Sequence, residues 1–279
     1  MRKRMCKGVK MSAHHEPTQT VDHGSISMEA RRKLASRLVT AVDRADYGQL
    51  LDATGQALAW GEKDGGVPRL EALVEALRHE RVLLPVNLGS ASSHDVETAD
   101  ESASCEDVDF IRTATDTGEA LVVYSSMSAM AAHMPGARPM PFDFRKVALT
   151  ALVETQGRVV LDPGTLSIPI PRPATAALAQ GDTWLPAWRD AELLAELREA
   201  LGFTHGTHHR ALIDVHLSPQ ALGTSIRIRL DLDPTCLGAN PRSVIQPMIS
   251  AIQSAQRLVT SADRIEICPV SVGSPSHFA

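Results

Sequence analysis

The densest group of side chains able to do chemistry is His205-Gly206-Thr207-His208-His209, with His216 shortly after it. Closely spaced imidazoles suit Zn or Ni, and a turn at Gly206 could bring two of them onto one ion. Transition-metal sites need three or four ligands, and no cysteine or carboxylate stands at ligand spacing here, so solvated loop histidines are the competing reading. Asp231-Leu232-Asp233-Pro234 puts two carboxylates at i and i+2, on one side of a strand end. Such a pair can share a proton or hold a divalent cation, although aspartate before proline also serves turns. His205, His208, His209, Asp231 and Asp233 are therefore the metal candidates.

Arg227 and Arg229 share a strand face and could grip an anion or an acidic partner segment; a solvent-facing charged row is the alternative. Asp107 and Asp109, in an acidic run, are the matching partner-binding candidates. Cys105 lies in the same run beside Glu101 and Glu106, and that negative field opposes the thiolate a nucleophile needs. G-x-S-x-G, H-E-x-x-H, G-x-G-x-x-G and the P-loop are all absent. No catalytic residue and no cofactor is assigned. The balance leans away from an enzyme.

Elements that could position these groups fall into two blocks. Leu70, Leu73, Val74 and Leu77 keep the spacing of an amphipathic helix, and RVLLPV from Arg81 reads as a buried strand. Phe110–Thr113 and ALVVY ending at Tyr124 flank Asp116-Thr117-Gly118 with the grammar of a hairpin. Ser126 is placed to cap a short helix, and Asp143 to cap another whose apolar set is Val147, Leu149, Leu152 and Val153. Strands Arg158–Leu161 and Leu166–Ile170 surround the turn Asp162-Pro163-Gly164, and a small helix runs from Pro173 to Gly181. Past Trp184-Leu185-Pro186 come a leucine helix at 193–201, strands Ala211–Leu217 and Ser225–Leu232, a helix over 243–258 and the strand RIEICPV. Helix, two strands, helix, strand is the order of a small α+β sandwich.

The chain has 279 residues with 28 Lys+Arg and 33 Asp+Glu, so about two domains and a net charge of −5. That charge is local. Residues 94–119 hold nine acidic side chains against Arg112 alone, while residues 1–65 carry a basic excess. With no dense basic stripe and 4% aromatics, phosphate-dominated or base-stacking nucleic-acid binding is disfavoured. No apolar run reaches a membrane span of about 20 residues. The four cysteines form no C-x-x-C pair, which fits free thiols in a cytoplasmic protein. The basic start MRKRMCKGVKM runs into polar His14-His15-Glu16-Pro17, so it reads as a disordered leader over 1–25. A helical arm over 26–65 follows, with Ser27 placed to cap a helix bearing Met28, Leu34, Leu38, Val39 and Val42. Only six lysines and two asparagines point to a GC-rich bacterial genome.

RVLLPV, an acidic gap, GEALVVYSS, PGARPMPF, RKVALTALVE and GRVVLDPG occur here in that order. This series resembles the SseB-like proteins, a family named for enhanced serine sensitivity, and the version here is similar to actinobacterial members. The resemblance is clear over 66–183 and weaker over 187–273, which looks like the family's C-terminal domain. It implies a two-domain cytoplasmic α+β protein and supplies no catalytic residues. The expectation is an α+β chain of two small mixed α/β sandwich domains behind a helical arm. Its expected role is a non-enzymatic interaction or adaptor module, with a protein or a second copy of the chain as partner. A small-molecule or metal-binding protein or enzyme, with a pocket between the domains, is the alternative; a secretion-system role stands third.

Overall fold

The computed structural model describes residues 9–10, 46–86, 110–220, 223 and 225–272. Most of the expected leader, the first part of the expected arm and the acidic run, with Asp107 and Asp109, lie outside these residues. The chain is α+β and divides into two compact units. Among the described residues one takes 46–61 and 68–184, and the other takes 9–10, 62–67 and 185–272.

In chain order the elements are β1 (Val9–Lys10), α1 (Asp52–Leu58), α2 (Val67–Leu77), β2 (Arg81–Val86), β3 (Arg112–Thr115) and β4 (Gly118–Val123). Next come α3 (Met127–His133), β5 (Arg138–Asp143), α4 (Phe144–Glu154), β6 (Val159–Leu161), β7 (Ile168–Ile170) and α5 (Arg172–Gln180). The last are α6 (Ala191–Ala200), β8 (Leu212–Gln220), β9 (Ser225–Leu232), α7 (Pro241–Gln253), α8 (Gln256–Ser261) and β10 (Arg264–Ser271).

The unit containing β2–β7 holds two sheets, β3-β4-β6-β7 and β2-β5. β4 and β6 are its parallel pair, with Leu121 opposite Val159 and Val123 opposite Leu161. Leu83 of β2 exchanges backbone hydrogen bonds with Tyr124, just past β4. Leu73, Leu77, Val82, Leu121, Phe144 and Leu161 are buried in the core beneath. Helix α1 has no capping side chain of its own at Leu51. The Glu80 carboxylate does that work from the turn between α2 and β2, accepting from Ala53 N, Thr54 N and Thr54 Oγ1 at 2.7–2.9 Å.

Ser126 caps α3 as expected, its hydroxyl accepting from Ala129 N at 3.2 Å. Asp143 precedes α4 but its side chain makes no capping bond. The faces of α4 also differ from expectation. Phe144, Val147, Ala148 and Ala151 are buried, whereas Leu149, Leu152 and Val153 are 42, 39 and 40% exposed. Small alanines let the helix sit close to the core and leave the larger side chains outside.

In the second unit the sheet order is β1-β10-β9-β8, with β9 and β10 parallel. Ile226, Ile228 and Leu230 face a buried core shared with Leu193, Leu197 and Ile252 of the helices. The Asp190 carboxylate caps α6 through Glu192 N and Leu193 N, at 3.0 and 3.1 Å. The single helix expected over 243–258 is two, α7 and α8, parted at Ser254–Ala255. Pro247 lies inside α7.

Candidate functional site

Parallel strands bring their carboxyl ends to one side of a sheet, and chemistry in mixed α/β folds collects there. Here β4 runs into Tyr124-Ser125-Ser126 and β6 into Asp162-Pro163-Gly164. Asp162 turns left-handed at φ 51°, and its amide donates to the carbonyl of Val123 at 2.9 Å. Its buried carboxylate accepts from the amide and the hydroxyl of Ser125 at 2.8 and 2.7 Å. Burial pushes the Asp162 carboxyl above its ordinary range, against the pull of the two Ser125 hydrogen bonds.

Next along the chain, the fully buried Tyr124 places its hydroxyl 2.7 Å from Nδ1 of His133, at the end of α3. Burial, and then the charge of Asp162, push this phenol up to about 12. The phenol thus keeps its proton, and the imidazole tautomer sets the direction of the bond. Gly164 closes the ring's other side. At φ +85°, a β-carbon there would stand 2.5 Å from His133 Cδ2. His133 is thus a held, solvent-exposed imidazole.

On the other side of Ser125 lies Arg81, at the start of β2. Its Nε and Nη2 donate to the two oxygens of Asp46 at 2.6 and 2.7 Å. Nη2 also donates to the Gln49 carbonyl, and Nη1 to the Ser125 carbonyl. The guanidinium holds the Asp46 carboxyl below the usual range.

The metal candidates, with Arg227 and Arg229, lie in the other unit. Arg229 donates to both oxygens of Asp231, at 2.6 and 3.0 Å, and Nε2 of His216 stands 3.2 Å from the same carboxylate. Arg227 forks onto Glu266 of β10 at 2.9 and 3.0 Å. Both arginines thus hold carboxylates of their own sheet. Asp233 caps the turn after β9, accepting from Thr235 N and Oγ1 at 2.9 and 2.7 Å. The structure gives the two aspartates separate partners. His209 Nδ1 accepts from Ala211 N, His205 is exposed, and His208 stacks on Phe203 with centroids 4.6 Å apart. Among the described residues, no three His, Cys, Asp or Glu side chains are grouped to hold a metal ion.

The polar pairs at the strand ends were not singled out by composition or spacing. Asp162-Pro163-Gly164 reads as a turn, and the signal for more is its place in the family-like stretch GRVVLDPG.

Among the described residues no helix is long and apolar enough to cross a membrane. Residues 56–177, from within α1 into α5, match the SseB protein N-terminal domain. No curated protein and no solved structure matches the chain.

Proposed function

Residues 56–177 are an SseB protein N-terminal domain, and we propose that the protein carrying it is a non-enzymatic interaction module of the bacterial cytoplasm. The observation that carries this reading is the outer face of α4. Leu149, Leu152 and Val153 recur at i, i+3 and i+4 and stay about two-fifths exposed, while the opposite face fills the core. A row of large apolar side chains left outside costs solvation unless a partner covers it. Cys236 and Cys268 are thiols, which accords with a reducing compartment.

A photo-crosslinking amino acid at Leu149 of the full chain tests the reading in cells. It should give a discrete protein adduct that a control at Thr117, on the hairpin tip, does not. Leu152→Asp should abolish the adduct with unchanged melting. Equal labelling at Thr117, or an adduct indifferent to Leu152→Asp, would sink it.

A second reading, a small-molecule binder, has the Tyr124–His133 pair in its favour. Its mark is a rise in melting temperature with a metabolite that His133→Ala removes. A metabolite panel that leaves melting unmoved would count against it.

A further inference from the structure

Residues 46–51 cross the start of α3 as a strap held almost wholly by polar contacts. Arg81 takes the Asp46 carboxylate with two donors and the Gln49 carbonyl with one of the same nitrogens. The Gly48 carbonyl accepts from Met127 N at 2.7 Å. Gly48 sits so close, at φ +78°, that a β-carbon would stand 3.0 Å from Met127 Cβ. Of the strap's large side chains Tyr47 is 83% and Leu50 43% exposed, and Leu51 is half-buried. A segment with few apolar contacts opens locally at far less cost than the whole domain unfolds.

Opening would leave the Arg81 guanidinium unmatched. Its side chain is 11% exposed and that of Asp46 14%. With the strap away the guanidinium keeps the Ser125 carbonyl but loses its carboxylate, which leaves a charge-assisted bidentate bond for another carboxylate to make. The fork is fixed in direction, because its remaining donor holds the Ser125 carbonyl at the end of β4. A planar fork of this kind selects carboxylates in bidentate geometry.

We propose that the strap is a displaceable internal ligand, and that Arg81 with the Met127 amide docks an extended, carboxylate-bearing segment of a protein partner. Asp46 fills the fork at rest. An incoming Asp or Glu replaces it, with a backbone carbonyl two residues on taking the Met127 amide as Gly48 does. The protein nature of the partner rests on the interaction reading above; the contact residues are separate from the outer face of α4.

The probe is the strap's own sequence in trans, acetyl-Asp-Tyr-Gly-Gln-Leu-Leu-amide, with an Asn-first version as control. Titrated into the full chain, it should bind Asp46→Ala at least tenfold more tightly than wild type and tenfold more tightly than the Asn peptide does. Adding Arg81→Ala should remove binding, whereas Leu152→Asp should leave it intact, which separates this proposal from the α4 reading. In wild type, hydrogen exchange at the Met127 amide should precede exchange at Leu121, a core amide bonded to the Arg158 carbonyl. A cooperatively folded Asp46→Ala that does not tell the two peptides apart overturns the proposal. Should that variant not fold, Met127 exchanging only at the rate of Leu121 overturns it, and earlier exchange upholds it.

Discussion

Asp162 and Ser125 are joined twice, the carboxylate taking both the amide and the hydroxyl of the serine at 2.8 and 2.7 Å. The two residues end neighbouring parallel strands, so the pair ties the sheet together where its ladder stops. Removing the carboxylate leaves two buried donors unmatched. Asp162→Ala should therefore cost about 2–4 kcal/mol, with the left-handed φ of 51° adding to the loss. Denaturant unfolding of the full chain checks this, and Asp162→Gly, free of the backbone strain, should recover part of it.

The buried Asp162 also has a pH signature. Its folded value is raised, so its favourable contribution is present at low pH and declines as pH rises through that value. Asp46, Glu80, Asp190 and Asp214 are lowered, and their contributions are present above the unfolded values and decline on acidification. For Asp190 burial opposes the shift, and hydrogen bonds from Arg257, Leu193 and Glu192 overcome it. Melting should fall as the medium is taken below about pH 4. Asp190→Asn should flatten that fall; an equally steep curve in the variant would refute the assignment.

Loss of the Asp190 cap should also register at neutral pH. Asp190→Ala removes the acceptor for two amides of α6 and is expected to cost about 1–2 kcal/mol. Asp190→Ser, which keeps a capping oxygen, should recover most of it, as thermal melts would show.

Gly164 and His133 predict a coupled pair. Gly164→Ala forces a β-carbon into the imidazole at a left-handed position and should cost more than the about 1–2 kcal/mol of the backbone strain alone. In His133→Ala the same change should cost less, because the clash is gone and only backbone strain remains. A double-mutant cycle with no coupling would contradict this geometry.

The two faces of α4 predict opposite tolerances. Val147→Asp buries a charge in the core and should prevent folding or cost at least about 3 kcal/mol. Leu149→Asp and Val153→Asp should stay within about 1 kcal/mol of wild type. Circular dichroism melts of all three decide whether the face is outward.

That reversal also shows what the sequence could convey. The clean alternation of β9, with Ile226, Ile228 and Leu230 against Arg227 and Arg229, declares its faces because apolar and charged residues never exchange. Helix α4 is apolar on both sides, so periodicity finds the helix but not which side is buried. The strand Arg138–Asp143 carries Pro139 and Pro141, which local propensity counts against a strand. The strand-end site is less legible still. Ser125 and Asp162 are 37 positions apart, and only the parallel pairing of β4 with β6 brings them together. The metal candidates look clustered along the chain, yet Asp231, Asp233, His208 and His209 meet different neighbours once folded.

Pro139 and Pro141 pair with Pro85 and Leu83 across β2-β5. All three prolines lack an N–H, so these positions alternate with the ones that carry the ladder bonds. Pro169 lies in the outer strand β7, Pro219 in the outer strand β8, and Pro269 in β10, which β1 covers over only two residues. The inner strands β4, β6 and β9 contain none. The outer rows of β5, β7 and β8 are thus interrupted, so another chain cannot extend them far, whereas the outer strand β3 carries no proline. For a cell this is a colloidal property. A protein that keeps an apolar helix row outside is guarded along these edges against backbone pairing between copies.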